Sequence, residues 1–307
     1  MATFAPTMPV RTLATPVLSI GYHDFGEGPA VVLLHGFPYD IHAYAEVVPI
    51  LAGAGFRVVV PYLRGHGTTR FLDTTIPRSA EQGALASDVI DLLDGLGLSR
   101  AIFAGFDWGA RAACAAAALW PQRCDGLVSA GGYALHHVGS SATPTTPDRE
   151  AAIWYQYYLM SERGRAGLAM YRREFARLLW RQWSPQWQFS DEEFARSAAA
   201  FDNPDWVEVV LHSYRYKFGL APGDERYTKL ADRLEGQPAI EVPALTLDGG
   251  DHGVVPGSDG GRWASLFLGR WEHRVVPGAG HNIPQENPRA FADAVRTVGQ
   301  WDANHRR

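Results

Sequence analysis

Ala104-Gly105-Phe106-Asp107-Trp108-Gly109-Ala110-Arg111 is the stretch on which the reading of this chain turns. The apolar run Ala101-Ile102-Phe103-Ala104 leads into it and predicts a buried strand, and the Ala-rich run from Ala112 to Leu119 predicts a helix. A strand, a sharp turn and a helix are therefore expected, with Asp107 at the turn. Gly105 and Gly109 stand two residues before and two after it. That is the spacing of an elbow that holds a reactive side chain out and leaves no room for neighbouring side chains. The usual elbow carries Ser, whereas this one carries a carboxylate. A carboxylate nucleophile is ill suited to ester hydrolysis, because its adduct would be an anhydride. It can open a carbon–oxygen or carbon–halogen bond at saturated carbon and leave an alkyl ester.

Outward from the elbow, strand and helix alternate. Val17 to Phe25 predicts an edge strand, Gly26-Glu27-Gly28-Pro29 a turn, and the uniformly apolar Ala30 to Leu34 a strand buried on both faces. Helical spacing over Tyr44 to Ala52, a strand over Phe56 to Val60 and a helix from about Ala80 to Leu96 lead back to the elbow. This order predicts right-handed crossovers and a mostly parallel sheet. After a strand at Asp125 to Ala130 the pattern changes. A Ser/Thr/Pro-rich linker at 139–148 precedes helical runs at Ile153 to Met160, Leu168 to Trp180, Asp191 to Phe201 and Trp206 to Phe218. Strands return at Ala244 to Asp248 and Glu272 to Val276, and a helix over Pro288 to Val298 follows. The division expected is a core in two parts, 1–138 and 223–307, with a helical cap at 139–222.

With 307 residues, 46% hydrophobic and 20% charged, the chain has the makings of a full core and of one large domain with an insertion. A formal net charge of −5 and the absence of any Lys/Arg run give no reason to expect nucleic acid or an anionic membrane as partner. The N-terminal stretch Met1 to Pro16 lacks the basic start and apolar core of a signal peptide. No segment has the about 18 or more uninterrupted apolar residues of a membrane span. A cytoplasmic protein is expected. Cys114 and Cys124 fall in predicted buried segments without metal-ligand spacing, and are read as small buried hydrophobes.

Three strand-ending segments carry reactive groups in the order Asp107, Asp251, His281. That order, nucleophile then acid then histidine, resembles the α/β-hydrolase fold family over about residues 17–299. The resemblance implies an eight-stranded, mostly parallel sheet flanked by helices, with a helical cap inserted after the sixth strand. Gly280-His281-Asn282-Ile283-Pro284 looks like that family's histidine loop. His35-Gly36-Phe37-Pro38 is similar to its oxyanion loop in the form common among epoxide hydrolases. On this likeness the backbone N–H groups of Phe37 and Trp108 face the developing charge. Trp154-Tyr155-Gln156-Tyr157-Tyr158 and Ser213-Tyr214-Arg215 resemble the two cap-tyrosine segments of epoxide hydrolases, implying Tyr155 and Tyr214 as proton donors to the epoxide oxygen. Tyr157, Tyr158 and Tyr216 stand as alternatives. Pro38, Trp154 and Tyr158 are expected to touch substrate.

The implied reaction has two steps. Asp107 attacks an epoxide carbon while the tyrosines protonate the oxygen. His281, oriented by Asp251, then activates water to release a vicinal diol, without metal or organic cofactor. The acid is out of register. The family spacing Gly-x-x-Asp counted from Gly249 ends on His252, with Asp251 one residue early, Asp248 as the other candidate and an incomplete triad as the third alternative. Two other readings stay open. A haloalkane or haloacetate dehalogenase would use the same nucleophile, and a non-hydrolytic protein would use the same pocket for ligand binding or biosynthesis. Arg111 matches one of the two arginines of fluoroacetate dehalogenases, but Trp108 stands where they usually have the other. That loss points to a neutral, largely apolar substrate.

Overall fold

A computed structural model describes residues 9–305 apart from position 256. The chain begins with β1 (Arg11–Ala14), β2 (Leu18–Phe25) and β3 (Ala30–Leu34), then α1 (Val47–Gly53), β4 (Arg57–Pro61), β5 (Arg70–Phe71) and α2 (Gln82–Gly95). The elbow strand β6 (Ala101–Phe106) is followed by α3 (Trp108–Leu119) and β7 (Cys124–Ala130). Six helices come next: α4 (Pro147–Ala152), α5 (Trp154–Met160), α6 (Glu162–Met170), α7 (Arg172–Trp183), α8 (Asp191–Ala198) and α9 (Trp206–Lys217). The chain returns through α10 (Thr228–Glu235), β8 (Ala244–Gly249), β9 (Trp271–Val276), α11 (Ile283–Glu286) and α12 (Pro288–His305).

The strands form one sheet in the order β1-β2-β4-β3-β6-β7-β8-β9, with β5 paired to β2. From β4 to β9 every pairing is parallel, and β2 joins β4 antiparallel. Every residue of β3 and β6 is buried, as expected of central strands covered on both faces, whereas β1 is largely exposed at the edge. One helical layer comprises α2, α3 and α10, and the other α1, α11 and α12. Two short strands, β1 and β5, escaped the sequence reading because neither has an apolar run. The sheet therefore has nine strands among the described residues, and the helical insertion follows β7 rather than a sixth strand.

In the insertion, the single helical run expected over Leu168 to Trp180 is two helices, broken at Tyr171 where the backbone leaves the helical region at φ −124°, ψ 40°. Phe175, Leu179, Trp180 and Trp183 on α7 recur at helical spacing and are all buried. Trp180 holds the insertion to the core by donating its indole N–H to Pro38 O at 2.8 Å. Arg64, after β4, forks onto Asp88 of α2 with two 2.7 Å contacts, so this fully buried guanidinium is paired. Cys114 and Cys124 are free and buried. Among the described residues, no helix is long and apolar enough to cross a membrane.

Candidate active site

The site forms where parallel strands end, and β6 delivers Asp107 to it. Asp107 adopts φ 53°, ψ −118°, a region that costs a non-glycine residue about 1–3 kcal/mol and persists only where packing dictates it. The packing here is tight. A Cβ on Gly109 would lie 1.8 Å from Leu34 O, and one on Gly105 2.4 Å from the Gly109 carbonyl carbon, so α3 crosses β3 and β6 in backbone contact. The turn points the carboxylate into a cavity of about 360 Å³ between the sheet and the helical insertion. Its Oδ1 accepts the Phe37 N–H at 2.8 Å, and its Oδ2 lies 3.6 Å from His281 Nε2. Burial opposes ionisation, but the His281 imidazole, Arg111 and the Phe37 N–H outweigh it and hold the carboxyl below its usual range.

Phe37 therefore offers its N–H where the sequence placed an oxyanion donor. Trp108 is the first residue of α3, so its N–H is one of the donors left unpaired in a helix's first turn. The two rings stack at 5.4 Å and are fully buried. Pro38 supports this loop through Trp180 and is not among the residues lining the cavity.

His281 sits in the loop after β9, its N–H bonded to Ser184 Oγ at 2.9 Å and its ring 4.8 Å from that of Trp183. Its Nδ1 meets His252 Nε2 at 2.8 Å. The structure thus corrects the acid. Asp251 is exposed, and its N–H is bonded to Ala279 O, so the turn after β8 sends residue 251 outward and residue 252 inward. Asp248 lines the cavity but is engaged by the Ser258 N–H and hydroxyl, both at 3.1 Å.

The hydrogen bonds of His252 fix a proton. Its Nδ1 accepts the N–H groups of Val254 at 3.0 Å and Val255 at 3.2 Å, so the neutral ring carries its hydrogen on Nε2. Burial, then His281 and Arg149, push its pKa down to about 2, which keeps it neutral. His252 Nε2–H then donates to His281 Nδ1, and a neutral His281 bears its own hydrogen on Nε2, facing Asp107. This is the tautomer opposite to the one an acidic partner would select.

Tyr155 of α5 and Tyr214 of α9 line the cavity with Asp107, their rings edge to face at 5.5 Å. Burial and the charge of Asp107 raise the Tyr155 pKa. Burial, then Tyr155 and Asp107, raise that of Tyr214, so both remain protonated at ordinary pH. A relay orients the first. Lys217 Nζ donates to Gln156 Oε1 at 2.8 Å, which turns the Gln156 amide N–H to the Tyr155 oxygen at 2.9 Å and leaves the phenolic proton free to donate elsewhere. The alternatives lie apart: Tyr157 is exposed and bonded to Glu150, and Tyr216 stacks on His212. Trp154 donates to Gln182 at 3.1 Å and Tyr158 stacks on Phe175; neither lines the cavity, contrary to the substrate contact expected of them. Trp183 lines it instead.

The lining does not match a neutral, apolar substrate either. Arg111, Arg149, Lys217 and Arg262 all line it, against the carboxylates Asp107 and Asp248. Sequence reasoning missed Lys217, Arg149 and Trp183, because none stands in a motif, and it passed over Gln156 as a spacer within the first cap-tyrosine segment. It met His252 only as the residue occupying the acid's place, and that spacing was the signal. Among the described residues, no cluster of His, Cys, Asp and Glu could hold a metal ion.

Comparison with known proteins agrees with the fold. Residues 29–288 match the family model described as alpha/beta hydrolase fold. Epoxide hydrolase B of Mycobacterium tuberculosis is 37% identical over 150 residues, 45% of this chain and 42% of that protein, so the chain matches less than half of that relative's length. Epoxide hydrolase A of the same organism is 27% identical over 287 residues, 85% of this chain and 87% of that one. A crystal structure from Klebsiella pneumoniae, described as a "putative epoxide hydrolase", is 45% identical with a TM-score of 0.93, covering 95% of this chain and 97% of that one. With a strand-ending carboxylate, a histidine loop and a helical insertion in one mostly parallel sheet, the chain belongs to the alpha/beta hydrolase fold family.

Proposed function

We propose that the protein opens an epoxide through an alkyl ester on Asp107 and hydrolyses that ester to a vicinal diol. The observation that carries this is one cavity holding an ionised carboxylate and two phenols that stay protonated. An epoxide oxygen leaves as an alkoxide and needs a proton donor, and nothing else in the cavity explains two buried phenols so well. In the first step Asp107 Oδ2 forms a bond to one epoxide carbon, the carbon–oxygen bond breaks, and Tyr155 or Tyr214 supplies the proton. The other carboxyl oxygen, held by the Phe37 N–H, becomes the ester carbonyl, already placed for the charge that develops when water attacks it. Epoxide hydrolases among the relatives support the same reading.

The second step is the slow one in this proposal. His281 presents N–H rather than a lone pair toward Asp107, and exchanging tautomers would drive the His252 proton to Nδ1, against the N–H groups of Val254 and Val255. The ester therefore accumulates during turnover. Denaturing mass spectrometry of the wild-type protein, quenched in steady state with a terminal epoxide, should show a species heavier by one substrate mass. Single turnover in H₂¹⁸O should place the label on Asp107 and not in the diol. Diol that takes its oxygen directly from labelled water would sink the covalent scheme.

Dehalogenation is a second reading, favoured by one observation. The indole N–H of Trp183, which lines the cavity, is buried without a protein acceptor, and a departing halide needs such donors. Halide release from a haloalkane or haloacetate, with no diol from epoxides, would select it.

A further inference from the structure

The cations of the cavity come from separate parts of the chain: Arg111 from α3, Arg149 from α4, Lys217 at the end of α9, and Arg262 from the 3₁₀ turn Gly261–Leu266 before β9. Among the described residues, none of the four is within ion-pair distance of a carboxylate. Arg111 Nε has no hydrogen-bond partner although it is buried, and its Nη1 only reaches Ser213 Oγ at 3.5 Å. Lys217 spends one of its three donors on Gln156, and Arg149 bonds to Val254 O at 2.8 Å. His136, which also lines the cavity, leaves its Nε2 unpartnered. The contrast within the molecule is Arg64, whose buried guanidinium has a two-point carboxylate partner.

Arg111 is buried, Lys217 and Arg149 are half-buried and Arg262 is exposed. An unpaired charge held away from water is costly, so the first three, left without anions around a cavity, point to an anion that arrives with the ligand. The nucleophile does not account for all of them. Arg111 lies one helical turn after Asp107 and helps keep it ionised, whereas Lys217 and Arg149 come from the insertion. Asp248 is occupied by Ser258. Glu81 does not line the cavity; in a smaller adjoining hollow shared with Lys217 and Arg111 it accepts the Asp224 N–H through Oε1 at 2.7 Å, while its Oε2 has no hydrogen-bond partner and lies 4.0 Å from His212 Nδ1.

Resting on the epoxide reading, we infer that the substrate is an epoxide bearing a carboxylate, held by Arg111 and Lys217 with Arg149 adding to the field. A guanidinium with a free Nε offers the planar donor fork that suits a carboxylate, and the modest cavity suits a short chain between the anion and the ring.

The test compares 4,5-epoxypentanoate with 4,5-epoxypentanamide, which differ in charge at nearly equal size. The acid should be preferred by at least about 10-fold in kcat/KM, the difference lying in KM, as expected for a charge-assisted hydrogen bond. Lys217→Gln and Arg149→Gln should each bring the acid-to-amide ratio down toward one. Arg149 is the safer substitution should the Lys217 variant fold poorly. Diol from both compounds without preference for the acid, or a preference unmoved by both variants, overturns this inference and leaves epoxide opening intact. If neither compound is opened, the epoxide reading fails. Calorimetry with pentanoate then decides the anion site: binding weakened by either variant upholds it, and no binding overturns it.

Discussion

At the residue scale, the chemistry is a matter of where four protons sit. Tyr155 and Tyr214 keep theirs because burial beside a carboxylate makes phenolate costly, so each Tyr→Phe change should slow ester formation by about 10²-fold with little loss of folding, read from single-turnover rates. On the proposed reaction, His252 and His281 hold theirs in an order that favours alkylation over hydrolysis. His252→Glu offers a carboxylate of similar reach to His281 Nδ1 and should free the lone pair on Nε2. Its expected signature is a higher steady-state rate with a smaller fraction of alkylated protein in quenched samples. An unchanged ester fraction in a folded variant would show that the tautomer does not limit turnover.

At the scale of elements, the elbow depends on β6 and α3 meeting without side chains between them. Gly109→Ala places a methyl group inside the van der Waals radius of Leu34 O, and backbone cannot step aside as a long side chain can. The loss expected is at the upper end of about 1–3 kcal/mol, measured by denaturant titration, with activity falling as Asp107 shifts. The loop after β4 depends instead on charge. Arg64→Met strands Asp88 as a buried carboxylate and should cost about 3–5 kcal/mol, whereas removing the exposed pair Arg296–Asp293 should cost little.

At the scale of the whole molecule, two layers of helices and a sheet bury the machinery, while the insertion closes the cavity and adds cations to it. This sets the pH response. The Asp107 pKa lies below, and both tyrosine pKa values above, their usual ranges, so ester formation from a neutral epoxide should vary little between about pH 5 and pH 9. A carboxylate substrate should behave differently. Burial, then Arg111, push Lys217 down to about 7, with Asp107 opposing and Arg149 adding to the fall. His136 is held neutral by the same surroundings, and Glu81 lies in the adjoining hollow. The ammonium is present below that pH and lost above it, so KM for the acid should rise as pH passes upward through about 7, while KM for the amide should not.

Much of this was legible in the sequence because it is local. Buried parallel strands write themselves as apolar runs, the elbow as Gly105-x-Asp107-x-Gly109, and the histidine loop as a strand end followed by Gly280-His281. The cap tyrosines were legible because they stand in motifs, and the structure brings Tyr155 and Tyr214 to one cavity with Asp107. Tertiary structure alone decided which residue of the turn after β8 faces His281, since a one-residue difference in the turn exchanges an exposed Asp251 for an inward His252. It also decided the charge of the cavity. Arg149 and Lys217 lie far along the chain from Arg111, and in sequence each of these two is indistinguishable from a solvated surface cation. The fold gathers them around one space without carboxylate partners, and long-range packing is what sets the local dielectric and the count of charges.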